Sequence, residues 1–361
     1  MSGTSPIRVL LVDDSTIARA MLRSILEEDG DFIVVGEARN GREAVDQVVR
    51  LRPDLVTMDL DMPVMGGLEA IEEIMGVKAV PILVVSSVAD AQRAYAAVAR
   101  GAIEVINKPT ALDADIADFV DKAKLVASIP VITHVRLRHQ FGRGAPVSVT
   151  VGSSVAAEGG AARSIDGPVV AIAASTGGPQ ALAQLLGALP ADFRLPILVA
   201  QHIADGFAQG LVDWLATQIR LPIRLACDGE RMAAGVVHLS PSESNLTVDG
   251  QGRLALTARP TVQIYRPSCD VLLTSVAAAF AQRAVGIILT GMGSDGVRGM
   301  EAINRAGGAT LAQDEGSSVI FGMNAVAIER GWVRRVLPVD RLSSALIALD
   351  RESRLDGGGT A

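Results

Sequence analysis

PVVAIAASTGGP, from Pro168 to Pro179, is an apolar run that stops abruptly in a serine, a threonine, two glycines and a proline. A buried strand that ends at a tight turn, with a helix starting at once, has this pattern. Ser175 would then sit at a strand's carboxyl end, its hydroxyl beside the free N–H groups of a helix N-terminus. Such a serine is a nucleophile, part of a phosphate cradle, or an ordinary capped turn, and the rest of the chain must decide.

The 361 residues predict two domains, since one core seldom grows so large. With 49% hydrophobic, 20% charged and only 3% aromatic residues, the composition is that of an Ala/Val/Leu-rich α/β protein and excludes the disordered class. No apolar run reaches the roughly 18 residues of a membrane span, and no signal-peptide pattern opens the chain, so no membrane insertion is expected. Cys227 and Cys269 lack metal-type spacing and predict buried thiols in a reducing cytoplasm. The net charge of −7 is uneven: residues 1–125 hold 13 Lys/Arg against 21 Asp/Glu, and residues 167–361 hold 16 against 17. Without a basic excess in either part, nucleic acid is not expected as a partner.

In residues 1–125, five apolar runs (Arg8–Val12, Phe32–Ala38, Asp54–Asp59, Pro81–Ser87 and Ala102–Pro109) alternate with amphipathic stretches. This predicts a parallel sheet covered on both faces. Polar residues gather where the runs stop: Asp13 and Asp14, Asp59, Ser86, and Lys108 before Pro109. Ligand sites in open α/β sheets lie at the strands' carboxyl ends, so these side chains converge. Three carboxylates in one pocket call for a cation, and an all-oxygen ligand set favours Mg²⁺. The lysine and the hydroxyl suit a phosphoryl group carried on one carboxylate.

This segment resembles the response-regulator receiver family through LLVDDS, LVTMDLDMPVMGG, VVSS and INKP. The resemblance implies a flavodoxin-like (βα)5 receiver in which Asp59 is the phospho-acceptor. It further implies that Asp13 and Asp14, with Asp59, hold Mg²⁺, that Ser86 contacts the phosphoryl group, and that Lys108 pairs with it. It also implies a cis bond before Pro109. Gly66 and Val105 depart from the family's usual acid and aromatic switch residue.

Residues 126–166 lose the strand–helix rhythm. A basic cluster (His134, Arg136, Arg138, His139 and Arg143) is followed by a Gly/Ala/Ser-rich stretch that reads as a flexible linker. The second domain is expected over 167–355.

There, PILVAQH ends in His202, and AVGIILTGMGSDG repeats the pattern of an apolar strand followed by a glycine-rich turn containing Asp295. VVHLS, NLTVD and RLALTA predict a small antiparallel insert in an otherwise doubly wound, mostly parallel α/β domain. Ser268 is the expected N-cap of the helix that follows. Three strands thus end in or near Ser175, His202 and Asp295, on one sheet edge. Serine, histidine and acid make a nucleophile, a base and a partner that orients the base. Gly177 and Gly178 permit a tight turn and close substrate approach, and the turn's N–H groups are oxyanion candidates. Dinucleotide binding at the Ser175 turn would require G-x-G-x-x-G there and an acid about 20 residues on, but the turn continues as GGPQAL and the second strand ends in Gln201-His202.

Residues 167–350 resemble the catalytic domain of the chemotaxis protein-glutamate methylesterases through ASTGGP, QHIADGF, CDGERMAAG, YRPSCDVLLTS, LTGMGSDG and AQDEGSSVIFGM. The resemblance implies a phosphorylation-activated serine hydrolase that needs no cofactor for the ester step. It further implies removal of methyl esters from glutamates on the cytoplasmic helices of chemoreceptors and deamidation of receptor glutamines, with a chemotaxis histidine kinase as the phosphodonor. Ser175, His202 and Asp295 inherit the triad positions, with Thr176 and Met292 lining the site. SPSESN (Ser240–Asn245) and FGMN (ending in Asn324) depart from the family pattern, the first by losing a histidine. The alternative is a phosphorylation-regulated binding module with a vestigial esterase site.

Overall fold

A computed structural model describes residues 5–87, 91–110, 112–131, 167–260 and 265–356. The basic and Gly/Ala-rich parts of the expected linker lie outside the described residues.

In the first unit, β1 (Ile7–Val12), α1 (Thr16–Asp29), β2 (Phe32–Ala38), α2 (Gly41–Leu51), β3 (Leu55–Met58), α3 (Gly67–Val77), β4 (Ile82–Ser86), α4 (Ala91–Ala99), β5 (Glu104–Asn107) and α5 (Asp113–Ala127) alternate. The strands form a parallel sheet in the order β2-β1-β3-β4-β5. Val9 to Val12 of β1 and all of β3 and β4 are buried on both faces, which explains their unbroken apolar runs, whereas the edge strand β2 is mostly half-buried. Val9 and Leu11 pack towards α1 and α5, while Leu10 and Val12 pack towards α2, α3 and α4. Each fully buried Leu or Ile contributes roughly 1.5–3 kcal/mol from burial alone.

The second unit begins with β6 (Val169–Ala174), α6 (Gly178–Gly187), β7 (Ile197–Gln201), α7 (Ala208–Ala216), β8 (Ile223–Leu225) and β9 (Val237–Leu239). The hairpin β10 (Ser244–Val248) and β11 (Leu254–Ala258) follows, then α8 (Cys269–Phe280), β12 (Ala284–Ile288) and α9 (Val297–Arg305). β13 (Ala309–Gln313), α10 (Met323–Glu329), β14 (Arg335–Leu337) and α11 (Val339–Asp356) complete it. Its seven-stranded sheet runs β14-β13-β12-β6-β7-β9-β8, every pairing parallel. The antiparallel insert is smaller than expected. NLTVD and RLALTA pair as β10 and β11, whereas VVHLS supplies β9, which inserts between β7 and β8 in the main sheet. Val237, His238 and Leu239 are all buried, as a strand covered on both faces requires.

The two units meet along α4 and α7. Tyr95 stacks on Trp214, with ring centroids 6.2 Å apart. Gly210 lies so close to α4 that a Cβ there would stand 2.6 Å from the Ala91 carbonyl carbon. Gln180 donates from Nε2 to the Val98 carbonyl at 2.8 Å, and Asn107 from Nδ2 to that of Asp205 at 3.2 Å. Among the described residues no helix is long and apolar enough to cross a membrane.

Candidate functional site

The strands carrying the first site are the three neighbours β12-β6-β7 at the sheet's centre. Ala174 pairs with Gln201 in the β6–β7 register, so Ser175 and His202 are the next residue on each strand. The His202 N–H donates to the Ala174 carbonyl at 2.9 Å, and the Ser175 N–H to that of Thr290 at 3.0 Å. Asp295 lies in the loop beyond the end of β12 rather than at the strand end itself, and the chain curls back to bring it to His202. His202 Nε2 meets Asp295 Oδ2 at 2.8 Å, with both side chains buried. The ring stacks against Tyr265, with centroids 5.0 Å apart and planes 17° from parallel.

Asp295 is held by more than the histidine. Its carboxylate accepts hydrogen bonds from Ser268 Oγ at 2.9 Å and from the backbone N–H groups of Cys269 at 2.6 Å and Asp270 at 3.0 Å. These are donors at the first turn of α8, where a negative charge is favoured. Burial pushes the Asp295 carboxyl up, but His202 and the Asp270 and Cys269 amides outweigh it and hold it below the ordinary range. Ser268 does cap α8, accepting from the Val271 N–H at 3.3 Å.

Gly177 adopts φ +79° and ends the turn, with α6 starting at Gly178 and Pro179 in its first turn. A side chain at Gly177 would strike Val319, and one at Gly178 would strike Gln201, so both glycines are required by close packing. Thr176 is buried, while Met292 stands half exposed at the rim. The Gly178 N–H is committed to the Ser175 carbonyl at 2.7 Å. Among the described residues the Ser175 hydroxyl has no hydrogen-bond partner.

The sequence reading missed Gln201. Buried between the strands, it donates from Nε2 to the carbonyls of Ser175 at 2.9 Å and His202 at 2.8 Å, tying the two residues' backbones together. Tyr265 and Asp270 are visible in the sequence only as parts of the YRPSCD motif, and Ser268 only there and as a helix N-cap. Cys269 is buried as expected, but Cys227 is exposed. Asn245, where the family histidine is lost, is buried and accepts the Ser268 N–H at 2.8 Å, so the departure is absorbed into the support of the same turn. Asn324, at the other departure, donates to the Gln313 carbonyl at 3.0 Å and to Ser318 Oγ at 2.9 Å.

In the first unit, Asp13, Asp14 and Asp59 bring carboxylate oxygens within 4.8 Å of one another. Lys108 Nζ lies 2.8 Å from Asp13 and 3.4 Å from Asp59. The Lys108–Pro109 bond is trans, contrary to expectation, and the long lysine side chain reaches both carboxylates from there. The Asp59 carboxyl is pushed up to about 6 by burial and by Asp13, against the pull of Lys108. Ser86 Oγ is fully buried with no hydrogen-bond partner, and Asp13 Oδ2 has only the Lys108 ammonium. An all-oxygen cluster with an orphaned hydroxyl beside it fits a hard divalent cation and a further oxygen-rich group. Arg19 braces this turn from below, donating to the Asp13 and Asp14 carbonyls at 2.7 and 3.1 Å.

Together these features define a receiver joined to a parallel α/β unit that carries serine and histidine at its central strand ends and an aspartate brought to them from the loop after β12. Family profiles agree: residues 9–120 match the response regulator receiver domain and residues 170–346 the CheB methylesterase. The chain is 60% identical over 97% of its length to a protein-glutamate methylesterase/protein-glutamine glutaminase of Paramagnetospirillum magneticum, covering 98% of that protein. It is 41% identical to one from Anaeromyxobacter dehalogenans, again over 97% of this chain and 98% of the other. Among solved structures, the CheB methylesterase catalytic domain of Thermotoga maritima matches 51% of this chain and 100% of its own, at 34% identity and a TM-score of 0.50. The chain belongs to the CheB methylesterase family, with its receiver domain.

Proposed function

We propose that this protein hydrolyses glutamate γ-methyl esters, and deamidates glutamines, on chemoreceptor helices, with Ser175 as nucleophile. His202 takes the Ser175 proton and returns it to the leaving methanol or ammonia. Asp295 fixes the ring with its proton on Nε2, which leaves Nδ1 as the nitrogen that accepts from Ser175. With the Gly178 amide committed, the Thr176 and Gly177 N–H groups are the oxyanion donors. The observation that carries this reading is the 2.8 Å His202–Asp295 contact beside a serine one residue past the neighbouring strand. The free Ser175 hydroxyl accords with it, because in unliganded sites such bonds tighten only when substrate arrives.

Asp59 accepts the phosphoryl group from a histidine kinase, while Lys108 and Ser86 contact it. Asp13, Asp14 and Asp59 would hold Mg²⁺, which neutralises phosphoryl oxygens when bound. The packing of α4 against α7 and α6, the helices that follow the His202 and Ser175 turns, gives the receiver a physical route to the esterase site.

The test is methanol release from methylated receptor fragments, together with labelling by a serine-directed fluorophosphonate. Ser175→Ala should lose both, and wild-type release from that variant would exclude this nucleophile. Phosphate uptake that persists in Asp59→Asn would move the acceptor elsewhere.

A further inference from the structure

Cys269 has no part in the ester chemistry, yet its sulfur lies 3.5 Å from His202 Nε2, the nitrogen that faces Asp295. The sulfur, that nitrogen and an Asp295 oxygen all fall within 4.8 Å of one another, and all three residues are buried. Tetrahedral Zn²⁺, with bonds of about 2.0–2.3 Å, separates nitrogen and oxygen ligands by about 3.4 Å and nitrogen and sulfur by about 3.6 Å. The observed 2.8 Å between His202 and Asp295 therefore needs to open only by about half an ångström, and the sulfur already stands at ligand distance.

We propose that His202 Nε2, Cys269 Sγ and Asp295 Oδ2 form a binding site for a borderline-soft divalent cation, Zn²⁺, whose occupation switches the esterase off. The donor types differ from those of the receiver: three carboxylates there suit Mg²⁺, whereas nitrogen, sulfur and oxygen here suit zinc. The ligands are preorganised, since the Cys269 N–H already holds the Asp295 carboxylate and the Tyr265 ring backs the imidazole. Thiolate and carboxylate balance the ion's charge, as a buried site requires. Without a cation, burial and the neighbouring Asp295 hold the Cys269 thiol protonated.

Binding transfers the thiol proton to solvent and forms Zn–S, Zn–N and Zn–O bonds, with water as the fourth ligand. The imidazole stays neutral, but zinc takes the Nε2 lone pair, so the ring's one proton moves to Nδ1. The nitrogen that would accept from Ser175 becomes a donor, and general-base catalysis stops. This loss of activity rests on the esterase reading above, whereas the metal site itself does not.

The experiment uses the full chain with Mg²⁺ in excess. Zn²⁺ is titrated against methanol release, and Co²⁺ is followed in parallel by its thiolate charge-transfer absorption. Zinc should inhibit reversibly at one equivalent, with a chelator restoring activity, and cobalt should give the thiolate band. Cys269→Ser and Cys269→Ala, each scaled to its own metal-free rate, should need at least about tenfold more zinc and lose the band. Cys227→Ser, which removes the exposed thiol, should keep both responses. Absence of the band in the wild type, its persistence in either Cys269 variant, or its loss in Cys227→Ser overturns the site. A Cys269-dependent band in a protein whose ester hydrolysis survives Ser175→Ala would leave the metal site standing and sink the assignment of Ser175 as nucleophile instead.

Discussion

Asp270 and Asp295 hold the starts of each other's helices. Asp295, just before α9, accepts the Cys269 and Asp270 amides at the start of α8. Asp270, in the first turn of α8, accepts the Gly296 and Gly299 amides at the start of α9, both at 2.9 Å, and pairs with Arg298 at 2.9 Å. Each carboxylate satisfies N–H groups that no intrahelical carbonyl can reach. The proposed triad acid is thus placed by a reciprocal clamp between two packed helices. Asp270→Ala should cost about 1–3 kcal/mol by denaturant unfolding, as befits a lost cap and buried amides left unpaired. It should also lower kcat more than it raises KM, because Asp295 loses its orientation while the substrate surface is untouched. An unchanged kcat would reduce the clamp to a purely structural role.

Gln201 makes a second such link. Replacement by leucine keeps the volume but removes both bonds to the Ser175 and His202 carbonyls. The expected loss is about 1–3 kcal/mol of stability, because the His202 carbonyl loses its Gln201 donor and the Ser175 carbonyl keeps only the Gly178 N–H. A drop in kcat at nearly constant KM should accompany it, and steady-state kinetics on a methylated receptor fragment reads that split.

In the receiver, the Asp59 carboxyl at about 6 lies above its unfolded value, so ionising it disfavours the folded state. In metal-free buffer this group favours folding at low pH, and that contribution is lost as the pH rises through 6. Asp59→Asn should therefore stabilise the chelator-treated protein at pH 7.5, by at most about 3 kcal/mol, and have little effect near pH 4. Added Mg²⁺ should raise the wild-type Tm more at pH 7.5 than at pH 5. Thermal melts at the two pH values, with and without metal, supply the comparison.

At the interface between the units, Gly210 leaves no room for a side chain against Ala91. Gly210→Leu should push α4 off α7, break the Tyr95–Trp214 stack and quench or shift Trp214 fluorescence. Basal esterase activity should rise several-fold without phosphorylation if the docked receiver restrains the site. An unchanged basal rate with altered fluorescence would separate docking from control.

The sequence alone determined the architecture and marked the side chains proposed to react. Parallel strands buried on both faces print as unbroken apolar runs, and their polar ends exposed Ser175, His202 and the Asp13/Asp59/Ser86/Lys108 group directly. Only the tertiary structure decided what supports them. The Asp270–Asp295 exchange and the Gln201 clamp bridge about 25 residues, and the Cys269–His202 approach bridges 67. Such contacts depend on which strands become neighbours, and local periodicity carries no record of strand order. β9 makes the same point: VHL has the short run of a hairpin strand, yet it inserts parallel between β7 and β8. Asp295 itself lies in a loop beyond its strand. Its motif marked it, but its contact with His202 exists because the first turn of α8 offers donors that draw the carboxylate in.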